Sequence, residues 1–214
     1  IPVDVEVASE FRYRNPIIGP KDVVIAISQS GETADTLAAL RLGRKKGAKI
    51  LSICNVVGSS IPRESDYCVY TWAGPEIAVA STKAYTTQVA VLAMISLYIG
   101  KLRKTISDDE YTKVLNEIKS FPQKAESVLK MESEIESISS YIVNQKDVFY
   151  IGRSIDYYVA MEGSLKLKEI SYIHSEAIAA GELKHGTLAL VEDGVPVIAL
   201  ATQNRLFDKT CADG

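Results

Sequence analysis

Three groups of residues have the types and spacing to do chemistry. The run Ser28-Gln29-Ser30-Gly31-Glu32-Thr33 places five hydrogen-bonding side chains in six positions. It lies between an apolar run and a helical pattern, so Gly31 permits a tight turn and the helix start points its backbone N–H groups outward. Ser28, Ser30 and Thr33 contribute hydroxyls and Gln29 an amide, all neutral donors. Together with the helix dipole, such donors suit a phosphate monoester on a small sugar. The run lacks the Gly-Lys-Ser/Thr of a Walker loop and the GxGxxG of a dinucleotide site. The plainer reading is a helix start with Ser30 as its cap and Thr33 in its first turn.

The second group is Glu162, Lys166 and Glu169, at i, i+4 and i+7 of a helical pattern and therefore on one face. A charged stripe is ordinarily a solvated face with i,i+4 pairs. Here Tyr158, Met161 and Leu165 form a neighbouring apolar stripe, so the charged one could equally line a cleft. The third group is the chain's two histidines, His174 and His185, just downstream. Histidine suits proton transfer near neutrality, although a lone one is more often a structural hydrogen-bonder.

The elements that must position these residues alternate short β-rich runs with longer helical patterns, the sign of parallel α/β units. Strands are predicted at Val3–Val7 (short and edge-like), Asp22–Ile27 (buried on both faces), Lys49–Asn55 and Tyr67–Thr71. A helix runs from Glu32 to about Lys46, and Gly47 is placed to end it. Gly58–Pro62 reads as a loop or short helix start, and Ile77 to about Lys104 as helical and apolar. From Val114 to Ile142 apolar residues recur 4 and 3 apart, a helical seam that Pro122 should break in two. Its simplest role is an antiparallel connector packed on the sheets. The β/α theme restarts with a strand at Asp147–Ile151, a turn at Gly152–Ser154 and a helix at Asp156–Tyr172. Ala177–Leu183 reads as loop or short helix, and Val195–Ala201 as a strand. The expected architecture is two doubly wound parallel α/β subdomains of three αβα layers, both incomplete. Their bounds are 1–106 and 146–214, with a helical connector at 107–145.

The chain has 214 residues, 47% of them hydrophobic and 24% charged, with a net charge of −3. That composition excludes disorder and collagen, and the spread, slightly acidic charge gives no nucleic-acid footprint. The longest strongly apolar stretch, Val89–Ile99, falls short of the roughly 20 residues that span a bilayer, so no membrane is expected. Asp4 and Glu6 argue against a signal peptide at the start. Cys54, Cys68 and Cys211 are sparse, odd in number and without metal-type spacing, and read as reduced thiols of a cytoplasmic protein. No metal or organic cofactor is implied. Opening without Met and running straight into strand-like sequence, the chain reads as a piece of something longer.

Ser28–Thr36 (SQSGETADT) is similar to the phosphosugar-binding loop of sugar isomerase (SIS) domains. The blocks ASEFRYR (8–14), EIAVASTKAYTTQ (76–88), GSLKLKEISYIHSEA (163–177) and GELKHGTLALVEDGVPVI (181–198) resemble the isomerase half of glutamine–fructose-6-phosphate transaminases, the glucosamine-6-phosphate synthases. The likeness runs through about Ala201. It implies a SIS fold and the substrate fructose 6-phosphate, with a glutaminase domain as a further part of the protein. It also implies that the family's first strand and its C-terminal lysine tail lie outside this chain, so that the piece alone has little synthase activity.

Residue by residue, the resemblance places Glu169 over C1 and C2 of the sugar as the base that moves a proton between them. Lys166 stands beside it, handling a hydroxyl proton. His185 matches a histidine that helps open the sugar ring from the neighbouring subunit, which implies a homodimer. Ser28, Gln29, Ser30 and Thr33 match the phosphate site, Val79 a backbone contact to the sugar, and Ser81 and His174 further substrate contacts. Two rivals share the fold: a stand-alone amino-sugar-phosphate deaminase or deglycase, and a non-catalytic phosphosugar-sensing module.

Overall fold

The computed structural model describes residues 1–211 and divides into two compact units, Ile1–Phe121 and Pro122–Gly214. In the first, a short helix α1 (Ala8–Phe11) precedes β1 (Val23–Ser28), α2 (Ala34–Lys45), β2 (Lys49–Cys54), α3 (Ser60–Arg63), β3 (Tyr67–Tyr70) and α4 (Lys83–Leu102). Helix α5 (Asp108–Leu129) crosses the boundary. The second unit continues with α6 (Glu132–Ile142), β4 (Asp147–Gly152), α7 (Ile155–Ser171), β5 (His174–Ala179), β6 (Val197–Leu200) and α8 (Phe207–Cys211).

The first sheet is parallel in the order β1-β2-β3, with Val23 opposite Lys49 and Leu51 opposite Tyr67. Every second residue of β1 faces α2, which gives a core of Ala26, Leu40, Ile50, Cys54 and Ile61, joined by Val24, Leu37 and Tyr70. Burying a side chain such as Leu40 in full is worth about 1.5–3 kcal/mol, so this patch anchors α2 and with it the turn that precedes the helix. Gly47 ends α2 at φ +89°, where a residue with a Cβ would be strained.

The second sheet is also parallel, in the order β5-β4-β6. The chain steps to one side of β4 and then to the other, which makes the end of β4 a topological switch point. Its core is Phe149, Ile151, Ile178, Ala180 and Leu183, packed against Val191, Val195 and Val197.

Five expectations are corrected. Ile1–Val7 is irregular and not a strand: its valines are exposed and no strand pairs with it among the described residues. Strand β1 is buried on one face only, since Val23, Ile25 and Ile27 remain 61%, 41% and 40% exposed. Pro122 lies inside α5, and the break comes later, at Lys130–Met131. A proline forfeits one backbone bond, but on this exposed helix water can take the carbonyl it leaves over. No residue of α5 or α6 is buried among those described, so the seam faces solvent instead of packing on a sheet. Finally, the segment read as loop or short helix opens with a strand, β5, before a 3₁₀ turn at Ala180–Glu182.

Helix α4 meets the length and composition of a bilayer-crossing helix, 20 residues with a mean hydropathy of 1.2, which the shorter apolar stretch had not foretold. Length and composition alone do not distinguish it from the apolar helix of an α/β fold.

Candidate active site

The carboxyl ends of the first sheet's strands converge on a cleft of about 520 Å3 lined by Gln29 after β1, Asn55 and Val56 after β2, and Trp72, Gly74, Pro75 and Glu76 after β3. This is where open α/β sheets place ligands. The turn after β1 closes on itself. Ser28 Oγ accepts the buried Gly31 N–H at 3.0 Å and lies 3.0 Å from Thr33 Oγ1, while Ser30 Oγ accepts Glu32 N–H at 3.2 Å. Each hydroxyl oxygen therefore shapes the turn. Of the three hydroxyl hydrogens one joins Ser28 to Thr33, and two remain to donate outward.

Gly31 has φ +68°, and a Cβ there would sit 1.9 Å from Ser59 Oγ. Its carbonyl accepts Ile61 N–H at 2.8 Å, tying the turn to α3. Thr33 stands at the N-cap of α2, yet no side chain caps that helix among the described residues. The turn is thus not the ordinary capped start with Ser30 as cap, and its helix N-terminus is open to an anion. Glu32 turns aside: its carboxylate accepts Ser60 N–H at 2.8 Å, which holds its pKa below the usual glutamate value.

Val79 and Ser81 lie in the irregular segment before α4. Val79 is 91% exposed. Ser81 Oγ donates to Glu76 at 2.9 Å, and the same Glu76 oxygen receives Ala84 N–H at 3.4 Å, so the carboxylate is turned to the start of α4.

In the second unit, Lys166 is held between Glu162, 3.6 Å away, and Glu169, with which it forms a close ion pair. Partial burial pulls the ammonium down, but the hydrogen bond to Glu169 and the charges of both carboxylates outweigh it. The Lys166 pKa therefore lies above the usual lysine value. Lys166 is thus a charged donor at neutral pH, and the stripe is a cluster instead of a row of solvated i,i+4 pairs.

His174 Nδ1 lies 2.8 Å from Asp147 Oδ1, joining the first residues of β5 and β4. Helix α7 runs back from the end of β4, so Glu169 in its last turns also lies toward the amino ends of the strands. His185 is exposed beyond the 3₁₀ turn, its backbone N–H bonded to Glu182 O at 2.9 Å. Among the described residues it shares no hydrogen bond or ion pair with Lys166 or Glu169.

Asn55 was missed by the sequence reading. Its Oδ1 accepts Thr71 Oγ1 at 3.1 Å and Ala73 N–H at 2.9 Å, and its Nδ2 donates to Gly74 O at 2.7 Å. A single Asn after a strand looks like any turn residue, so only the folded chain exposes this clamp. Among the described residues no three His, Cys, Asp or Glu side chains stand together to hold a metal.

Comparison with known proteins fits this geometry. The SIS domain model matches residues 1–98 and 141–212. The chain belongs to the SIS domain family. It is 60% identical over 209 residues to a glutamine–fructose-6-phosphate aminotransferase (isomerizing) of Caldanaerobacter subterraneus, covering 98% of this chain and 34% of that protein. It is 57% identical over 213 residues to the enzyme of that name from Clostridium tetani, covering all of this chain and 35% of its relative. A solved C-terminal domain of glucosamine–fructose-6-phosphate aminotransferase from Francisella tularensis superimposes with a TM-score of 0.96 at 46% identity, over the whole of this chain and 60% of that one. The chain thus spans about a third of the length of the curated relatives it matches. Most of α4 falls within the SIS match, which makes it a helix of that fold.

Proposed function

We propose that the chain is part of the isomerase region of an enzyme that converts fructose 6-phosphate and ammonia to glucosamine 6-phosphate, for hexosamine biosynthesis. The observation that carries this reading is the turn Ser28–Thr33, whose donors are neutral hydroxyls and an amide, which leads uncapped into α2 and lines a cleft at the strand ends with Gln29. The names of the relatives supply the substrate. Ammonia released by a glutaminase domain of the full-length protein replaces the C2 carbonyl oxygen of the ketose, and water leaves. Glu169 then takes the proton from C1 while the imine nitrogen gains one from solvent, giving an enaminol, and returns its proton to C2 as the C1 hydroxyl proton passes to solvent. That hydroxyl becomes the aldehyde oxygen. Lys166, charged and paired with Glu169, donates a hydrogen bond to that oxygen. No electron is gained or lost overall. His185 joins the site from a second copy of the chain and opens the sugar ring, while His174, Val79 and Ser81 complete the substrate contacts. The three free thiols accord with a cytoplasmic setting.

A sensing module would have no use for the Glu162–Lys166–Glu169 cluster, and relatives 60% and 57% identical to this chain carry the aminotransferase name. Calorimetric titration of fructose 6-phosphate into the protein tests the turn. The double change Ser28→Ala with Thr33→Ala should weaken binding about tenfold, roughly 1.4 kcal/mol. In the full-length protein, Glu169→Gln should slow exchange of the C1 hydrogen with D2O by about 10³, the usual range for a lost general base. Exchange at the unaltered rate refutes the role of Glu169.

A further inference from the structure

The cleft reaches beyond the phosphate turn, and its far wall is the chain's single tryptophan. Trp72 is 77% exposed, unusual for the largest apolar side chain, and its backbone has φ +53°, a conformation costly for a bulky residue. The strain persists because Asn55 uses both ends of its amide on the turn that carries Trp72, bonding Thr71, Ala73 and Gly74. The Tyr70 ring, 5.9 Å away and tilted, supports the indole. Glu76, the carboxylate on this wall, is occupied with Ser81 and the start of α4. The wall is therefore aromatic and amide in character, while the phosphate turn meets it at Gln29. A cleft of about 520 Å3 lies within the roughly 300–1,000 Å3 typical of small-molecule sites and extends past what a phosphate group fills.

Resting on the phosphosugar reading of the turn, we infer that Trp72 is the residue on which the carbon chain of the sugar packs. Asn55 is the positioning residue that holds it there. A sugar is amphipathic: its hydroxyls bond to amides such as Gln29, and its C–H face lies against an aromatic ring. The assignment makes Trp72 a specificity determinant, one that senses the sugar and is indifferent to the phosphate.

The lone indole supplies its own readout. Fructose 6-phosphate should change the intrinsic tryptophan emission saturably, with the midpoint found by calorimetry, while inorganic phosphate should leave the emission unchanged. Trp72→Ala should weaken fructose 6-phosphate about tenfold or more and inorganic phosphate less than twofold, and Trp72→Phe should recover most of the loss. Asn55→Ala should weaken the sugar phosphate similarly but add less than twofold in the Trp72→Ala background, since both act through one ring. Thermal melts of each variant check that it is folded. Should fructose 6-phosphate bind in a manner sensitive to Thr33→Ala, yet without an emission change and with full affinity in Trp72→Ala, the inference is overturned while the turn keeps its role. Should neither phosphate compound respond to Ser28→Ala with Thr33→Ala, the phosphosugar reading fails and this inference with it.

Discussion

Each unit carries a strand–turn–helix corner, after the edge strand β1 in the first and after the central strand β4 in the second, and the two corners are built to opposite ends. After β1 the chain spends five residues, Gln29–Thr33, before α2 begins uncapped, and Gln29 of that turn lines a cleft. After β4 only Arg153 and Ser154 intervene before α7. The helix presses so closely on the strand that a Cβ on Gly152 would sit 2.6 Å from the Asp156 carbonyl carbon. Asp156, 3% exposed, then fills the corner from within: its carboxylate accepts Thr202 N–H at 2.9 Å and Thr202 Oγ1 at 2.6 Å. A carboxylate at a helix N-terminus occupies the place an external anion would take. The second corner is thus sealed by the chain's own anion, although it is the topological switch point of its sheet. In that unit His174 stands at the opposite end of the strands, beside Asp147, and Lys166 and Glu169 lie on the later turns of α7. Position in a fold nominates a site, and turn length with side-chain chemistry decides whether it is open.

The sharpest way to break this contrast is to fill both corners. Gly31→Val should abolish phosphosugar binding, a loss above 100-fold by calorimetry, because the added carbons meet Ser59 at a backbone of φ +68°. Gly152→Val should instead cost about 3 kcal/mol of stability in chemical denaturation, with affinity for inorganic phosphate unchanged. Equal binding by Gly31→Val and the parent protein ends the claim that the first corner is the open one.

The seal itself is next. Asp156→Ala should lose about 1.5–3 kcal/mol, because both hydrogen bonds from Thr202 to the buried carboxylate go with it. Burial pushes the Asp156 carboxyl up, but the bonds from Thr202 and Gln203 outweigh it, so its pKa lies below the usual aspartate value. A depressed pKa contributes stability that is present above the unfolded value of about 3.9 and fades as pH falls through the folded value. The parent protein should therefore lose stability below about pH 4, and the difference between parent and Asp156→Asn should shrink there. A difference constant from pH 7 to pH 3 contradicts the assignment.

The smallest effect concerns the floor of the open corner. Cys54 is fully buried at the end of β2, beside Ser28 in the sheet, and burial pushes its thiol up to about 12. At pH 8 a thiol reagent should modify the exposed Cys211 and the half-buried Cys68 while Cys54 stays intact, as mass spectrometry will read. Modification of Cys54 at the rate of Cys211 means that the floor is not closed.

Much of this was legible in the sequence, and the exceptions have physical causes. β1, β2, β3, β4 and β6 read as strands because apolar β-branched runs have few other uses. β5 hid because HSEAIA mixes polar and small residues, and its strand character comes from pairing with β4. IPVDVEV failed in reverse: its propensity was right, but no strand pairs with it among the described residues. The Ser28–Thr33 turn was visible in its residue types, whereas the Asn55 clamp and the Asp156 seal depend on partners 16 to 46 residues away. The Glu162–Lys166–Glu169 spacing was legible, but its difference from an ordinary charged stripe rests on partial burial, which no periodicity reports.

The bare flank of β1 has a practical consequence. VVIAIS is uncharged and largely β-branched, and among the described residues it is an edge strand with no strand on its outer flank, beside an apolar face. Such a ribbon is a template for self-association into cross-β stacks. Handling of this polypeptide at high concentration will be governed less by its global stability than by how well those six residues are kept apart.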